Sequence, residues 1–433
     1  MATSSSLPSL GEDSIINIER EQNLGRSFYE RLLERGLIET DPLLDRYIND
    51  IGIRLLAGID NRVRDYRFFI VRDDAVNAFA VPGGYIGVNR GLIRQTRTQH
   101  QLASVIAHEI AHVRLRHGLD LMEKSRDLSN TALLTALAGI LLGAVDSQIG
   151  AAVAFGGAGA TQQSLVNFTR ENEYEADRVG VELMKAAGFD PRGTVEFFEI
   201  MAGLGGSSGL AGIEYLRTHP LGSNRVAEAA ARARNSQSPG QQVNDYQLFK
   251  DYLHFVSTDH LPDQGNPFLR ALVSVQAGDY QRADERLFRL YESDRENIWY
   301  GIAYADNLEQ LNRKPDAEGV YRHLLNLFPG DFAISLRLLR LYKQTSQADK
   351  ALEIARDLEI RFPEDQRVYF ELSEIYESLQ RPVLRLMAQA EYHRIVGNPD
   401  QAIRLYDEIL RSSDVDIGTE SKAREKRLIL LDN

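Results

Sequence analysis

Val105-Ile-Ala-His-Glu-Ile-Ala-His112 places two histidines four positions apart inside an apolar run. On a helix both imidazoles leave one face about one turn apart, a spacing that suits two ligands of a tetrahedral zinc ion. Glu109 follows His108 by about 100° around the axis. From there it can reach a metal-bound water without displacing it, and its role would be that of a general base. The pentapeptide H-E-x-x-H arises by chance in many chains. Here Leu102, Val105, Ile106, Ile110 and Val113 flank it on both sides and predict a buried helix. Two imidazoles and a carboxylate inside a core are costly unless something satisfies them.

Two histidines leave such a site short of a ligand. His117 stands five residues after His112 with no glycine to turn the chain. If the helix continues, His117 lies on the face opposite His108 and reads as a helix-end residue near the negative end of the dipole. It is rejected as a ligand. Glu173 in Glu171-Asn-Glu-Tyr-Glu-Ala-Asp-Arg-Val-Gly180 is the better candidate. Glu173 and Asp177 are again four apart, so Glu173 can complete the coordination while Asp177 accepts the free N–H of a ligating imidazole. The competing reading is a solvated acidic stripe. Ala176, Val179, Gly180 and Val181 give the Asp177 side an apolar neighbourhood, which favours the site; Glu171 and Glu175 are left to solvent or structure.

The rest of the chain narrows the class. Its 433 residues exceed one ordinary core and predict at least two domains. Lys plus Arg number 50 against 62 Asp plus Glu, a net charge of −12 that argues against nucleic-acid binding, which relies on cations to neutralise phosphates. There is no cysteine, so disulfide frameworks, thiolate zinc sites and cysteine nucleophiles are excluded and a metal must bind through His, Asp or Glu. Met1-Ala-Thr-Ser-Ser-Ser-Leu-Pro8 has neither the basic segment nor the apolar core of a signal peptide. It resembles the polar start of a mature secreted chain from which that peptide has been removed.

Residues 1–14 are expected as a flexible terminus and 15–235 as the domain carrying the histidines. Ile15 to Gly36 reads as a helix, and Thr40-Asp41-Pro42 opens another with a capping side chain and a proline where no N–H is needed. Tyr66–Val71, Ala78–Val81 and Tyr85–Val88 predict a small sheet with a tight hairpin at Pro82-Gly83-Gly84. Helical patterning resumes near Gly91. The apolar segment 131–160 has only fifteen uninterrupted residues, Thr131 to Val145, against the roughly 20 that a spanning helix needs. It reads as a buried hairpin or a flap over a cleft, with peripheral membrane contact as the alternative.

A polar linker, 236–243, precedes a repeating region, 244–433. Ala283, Ala317 and Ala351 are spaced by 34 residues, as are Phe328-Pro329 and Phe362-Pro363. A small residue where two helices touch and a proline closing each pair is the pattern of tetratricopeptide repeats. The next copy of the alanine, Ala402, comes 51 residues after Ala351, which implies an extra or displaced helix around Arg381 to His393. The fold class expected is therefore mainly α (α+β): a zincin-type helical domain with a small β-sheet, followed by an α-α superhelical repeat domain.

His108-Glu-Ile-Ala-His112 together with Glu173-Tyr-Glu-Ala-Asp177-Arg-Val-Gly180 resembles the HtpX-like and CAAX-prenyl-protease-like zinc metallopeptidases, which are gluzincins. Asn77–Val88 is similar to their sheet segment, and Thr218-His-Pro-Leu-Gly-Ser-Asn-Arg225 to their later His-Pro…Arg element. With the repeats added, the chain resembles the periplasmic group of that family which serves outer-membrane β-barrel assembly. The resemblance implies a zinc endopeptidase with one zinc ion per chain, held by His108, His112 and Glu173, with Glu109 as base. It also implies polypeptide clients among outer-membrane proteins and docking near their assembly machinery. A cysteine pair found in the repeats of some members is missing.

His219 and Arg225 can be read as donors to an oxyanion developing on a scissile carbonyl, and His219 alternatively as a zinc ligand that blocks the resting enzyme. Pro82, Gly83, Gly84, Tyr85 and Gly87 would line the substrate path if an extended peptide pairs with the hairpin. A chaperone or scaffold with latent proteolysis is the alternative from a different class.

Overall fold

The computed structural model describes residues 14–57, 66–117, 162–208, 214–234, 245–262 and 264–432. The flap segment 131–160 and the linker 236–243 expected above lie outside the described residues. The chain divides into two compact units: residues up to Thr40 with Tyr47–Lys250, and Asp41–Arg46 with Asp251–Asn433. It is mainly helical with one small sheet, as the sequence predicts.

In the first unit, α1 (Ser14–Glu34) and, from Tyr47 on, α2 (Pro42–Leu56) precede a sheet of β1 (Arg67–Val71), β2 (Ala78–Val81) and β3 (Tyr85–Asn89). Asp41 opens α2 by accepting from the N–H of Leu43 at 2.8 Å. The strand order is β1-β3-β2, with β3 parallel to β1 and antiparallel to β2. Between β2 and β3 the chain reverses through Gly83 and Gly84, both at φ 91°, a region that only glycine occupies freely. Phe28 and Leu32 of α1 pack with Phe69, Val71, Phe79 and Val81 to form the core over the sheet.

Central to this unit is α4 (Gln99–Arg114), preceded by the short α3 (Arg90–Gln95). Thr98 caps α4 by accepting from the N–H of Gln101. Thirteen of its sixteen residues are buried, because α5 (Gln162–Ala186), α6 (Arg192–Ser208) and both β2 and β3 pack around it. The buried helix expected from the apolar flanks is thus present. Two further elements, α7 (Glu214–Thr218) and α8 (Ser223–Ala233), follow, and α9 (Tyr246–Ser257) leads out of the unit. No helix among the described residues is long and apolar enough to cross a membrane.

The second unit is an array of helical hairpins. Its helices are α10 (Pro267–Gln276), α11 (Tyr280–Ser293), α12 (Ile298–Gln310), α13 (Lys314–Leu327), α14 (Phe332–Gln344), α15 (Ala348–Arg361), α16 (Gln366–Ser378), α17 (Pro382–Ile395), α18 (Pro399–Arg411) and α19 (Ile417–Asp432). Each packs on its sequence neighbours. Ala283, Ala317 and Ala351 are all 0% exposed, each in the first turn or two of α11, α13 and α15 respectively. The turns repeat as well. Gly278, Asn312, Ser346 and Gln380, each 34 residues from the next, have φ of 73°, 58°, 56° and 54°. These are the left-handed residues that end a helix and free the chain to reverse. The period therefore continues through α16 and α17, where Arg385 of α17 replaces the alanine marker. This corrects the expected extra or displaced helix: α17 keeps the period, and Ala402 lies in α18, 17 residues or half a repeat after Arg385, which accounts for the 51-residue interval.

Candidate metal centre

His108 and His112 project from one side of α4 as the four-residue spacing requires, with their Nε2 atoms 3.0 Å apart. What meets them comes from α5. Glu173, Asp177 and Gly180 fall on one face of that helix, and Gly180 is the reason it can come so close. A Cβ at Gly180 would sit 3.2 Å from the backbone nitrogen of His108, so the helices approach nearly backbone to backbone. Glu173 then lies with Oε2 3.3 Å from His108 Nε2 and Oε1 3.4 Å from His112 Nε2. Asp177 Oδ1 is 3.0 Å from His108 Nδ1, the far nitrogen of the ring, where a carboxylate fixes the tautomer of a ligating imidazole. Gly180→Val should force the helices apart, with a loss of about 1–3 kcal/mol in stability from overpacking and weaker zinc binding. Denaturant melts and chelator competition would measure both, and a variant unchanged in each would show that the close approach is not needed.

His219 follows α7. Its N–H donates to Tyr215 O at 2.8 Å, and its ring lies against that of Tyr215 with centroids 4.8 Å apart. Its Nδ1 is 3.2 Å from His108 Nε2 and 3.1 Å from Glu173 Oε1. His108, His112, Glu173 and His219 each offer one ligand atom to a group lying within 4.8 Å of one another. The chemistry of this donor set fits zinc. Zn–N bonds of 2.0–2.1 Å in a tetrahedron put neighbouring donors about 3.3 Å apart, and five of the six pairs among the four, with Glu173 counted through either oxygen, are separated by 3.0 to 3.4 Å.

Glu109 points to the same place from the side. It is 1% exposed, and its Oε1 has no hydrogen-bond partner among the described residues and lies 3.4 Å from His219 Nε2. Burial raises its pKa, with His219 and His108 offsetting only part of the effect. Glu173 goes the other way. Burial opposes its charge, but His219, His108 and His112 together hold it well below the ordinary glutamate range. Two neighbouring carboxylates are thus pushed apart, one held as an anion and the other made basic.

Arg225, on α8, is 3% exposed. Its Nε and Nη2 donate to Asp177 at 2.7 and 2.8 Å, and Nη1 lies 2.9 Å from Glu173 Oε2 and 2.8 Å from Pro220 O. Arg225 is the residue expected, with His219, as a donor to a substrate oxyanion. Its guanidinium is committed to the two carboxylates and to the loop that carries His219.

The five residues expected to line the substrate path lie at the β2–β3 turn and along β3. Pro82, Gly83, Gly84 and Gly87 are buried and Tyr85 half-buried. Gly83 lies under α1, where a Cβ would meet Glu21 O at 2.5 Å, and Gly87 lies against the ring of Phe79 at the same distance. Since β3 is the middle strand, Tyr85 and Gly87 already pair on both sides. The edge beside α4 is β2 instead. Asn89 N–H donates to Asn77 O, so by antiparallel alternation Ala78 and Ala80 turn their backbone groups outward. No strand pairs with that side among the described residues.

His117, which spacing places on the face opposite His108, lies instead beside His112. The helix stops, Arg116 takes φ 61°, and the His117 ring folds back so that its Nδ1 is 3.0 Å from His112 Nδ1. No glycine signals this turn.

Comparison with known proteins gives two kinds of match. Residues 42–233 match the model of peptidase family M48. The beta-barrel assembly-enhancing protease of Escherichia coli K12 is 30% identical to the chain, over 96% of this chain and 89% of that protein. The protein of the same name in Yersinia pestis is 28% identical, over 96% and 90%. The mitochondrial metalloendopeptidase OMA1 of Schizosaccharomyces pombe is 27% identical, over 49% of this chain and 60% of that protein.

Proposed function

Because this chain belongs to peptidase family M48 and is a zinc metalloendopeptidase, we propose that it cleaves misfolded or misassembled polypeptides in the periplasm. Its clients on this reading are outer-membrane proteins, and its helical-repeat region recruits the client or the assembly machinery. The observation that carries the site is the convergence of three imidazoles and one carboxylate beside a buried, basic Glu109. The likeness to two proteins named for β-barrel assembly, extending over 96% of the chain, supports the choice of clients.

His108, His112 and Glu173 would hold the zinc ion. When bound, zinc polarises the peptide carbonyl and makes water acidic enough to deprotonate near neutral pH. Glu109 takes the proton from the attacking water on its carboxylate and returns it to the leaving amine. Asp177 accepts the Nδ1–H of His108 and so presents Nε2 to the metal, while Arg225 neutralises Asp177 and Glu173 and keeps both in place. The outward backbone groups of Ala80, the half-buried residue of β2, receive an extended peptide by strand addition, which reads shape more than sequence.

Between the two roles open for His219, its position favours that of a fourth donor that closes the resting site. Its Nδ1 stands among the ligand atoms and its Nε2 faces Glu109. Peptide entry then requires this imidazole to leave, which makes proteolysis latent and gives weight to a client-holding role alongside it. The direct test is elemental analysis. We expect one zinc per wild-type chain and far less in His108→Ala; equal zinc in both would remove the ligand assignment.

A further inference from the structure

One buried imidazole has no part in the chemistry above. We infer that His117 is a positioning residue that holds His112 in the tautomer required for coordination, with Glu175 behind it; this rests on the zinc site proposed above.

His112 turns Nε2 toward the donor cluster, 3.0 Å from His108 Nε2 and 3.4 Å from Glu173 Oε1. A neutral imidazole that ligates through Nε2 carries its proton on Nδ1, and whatever accepts that proton fixes both the tautomer and the ring orientation. For His108 the acceptor is Asp177. For His112 it is His117, whose Nδ1 stands 3.0 Å away with the two rings at 74°. Two Nδ1 atoms at that distance need one proton between them. Since His112 supplies it, His117 accepts on Nδ1 and carries its own proton on Nε2. That nitrogen faces Glu175 Oε2 at 3.5 Å. The order of protons is therefore consistent from Glu175 through His117 and His112 to the ligand atom.

The backbone is arranged to make this contact. Arg116 holds a left-handed conformation that disfavours residues with a Cβ. Its guanidinium is anchored at 2.6 Å on Glu21, itself 3% exposed. The turn brings His117, 7% exposed, onto the outer nitrogen of His112. Glu175 is about half exposed on its side chain, so His117 is the member expected to matter most.

The experiment compares zinc affinity, by chelator competition, in wild type, His117→Leu and His117→Gln. The leucine fills the space without an acceptor, and the glutamine keeps a carbonyl that can accept from His112. Loss of an outer partner typically weakens metal binding about 10–100-fold, so we expect that loss in His117→Leu and affinity close to wild type in His117→Gln. Melting of the metal-free proteins separates the roles: a merely structural histidine would lower it in both variants without a selective change in zinc affinity. Should His117→Leu fail to fold, ¹⁵N NMR of histidine-labelled, zinc-loaded wild type still decides, with protonated Nδ1 expected on His112 and bare Nδ1 on His117. Wild-type zinc affinity in His117→Leu, or a proton found on His117 Nδ1, overturns the inference. Failure of the wild type to bind zinc at all would instead strike the site itself.

Discussion

Glu109→Gln should bind zinc as tightly as the wild type and lose about 10²–10⁴-fold or more in kcat/KM on an unfolded protein substrate, the range lost with a general base. Zinc is retained because the four grouped donors are His108, His112, Glu173 and His219, and Glu109 is not among them. Stability should hold or rise. Glu109 is 1% exposed and its Oε1 accepts no hydrogen bond from the described residues, so the wild-type carboxylate is a buried charge with incomplete compensation. A neutral amide of the same shape relieves that. The measurements are zinc content, melting temperature and peptide release. Cleavage at the wild-type rate by the zinc-loaded variant would eliminate Glu109 as the base. The same variant weighs proteolysis against client holding: if it restores outer-membrane protein assembly in cells lacking the protein, holding dominates there.

The largest effect on stability is expected at Arg225. Arg225→Met leaves Glu173 and Asp177 buried and facing each other without their shared cation. Burial alone raises the pKa of both carboxylates, and it is the surrounding cationic and hydrogen-bonding groups that bring them down. Breaking a buried ion pair by removing one partner costs about 3–5 kcal/mol, and we expect an unfolding free energy lower by that amount together with reduced zinc affinity. Arg225→Lys should fall between, since an ammonium keeps the charge but not the fork that grips both oxygens of Asp177. Denaturant melts at neutral pH read the first effect and chelator competition the second. A methionine variant that unfolds within about 1 kcal/mol of wild type, less than the usual loss, would mean the carboxylates find other partners.

Much of this was legible from spacing. The four-residue intervals from His108 to His112 and from Glu173 to Asp177 are facts about a helix, and the helix alone places each pair on one face. The 34-residue alanines work similarly, because the same contact recurs in every hairpin and the sequence must repeat with it. Where one repeat lacks its alanine, at Arg385, the sequence reading saw only an interval that did not fit. The turn at Gln380 shows that the backbone kept the period.

Other features had no local signature. The order β1-β3-β2 depends on which strands meet, and a hairpin read from Pro82-Gly83-Gly84 leaves open which of its strands will lie at the edge. Arg225 reads from the chain as a donor to a substrate oxyanion, yet its guanidinium turns toward Asp177, Glu173 and Pro220 O. His117 is the sharpest case. A continuing helix would send it to the far face, and only the left-handed Arg116, held by a glutamate 95 positions earlier, returns it to His112.

By itself the sequence determined the ligand types, their pairing on helices α4 and α5, the absence of thiol chemistry and the period of the repeats. Each of these follows from covalent order and the fixed pitch of a helix. Only the tertiary structure decided that the two helices touch at Gly180, that His219 enters the donor cluster, that β2 takes the side of the sheet away from β1 and that His117 Nδ1 meets His112 Nδ1. Those depend on distances between segments far apart in the chain, which close packing sets and no local pattern encodes.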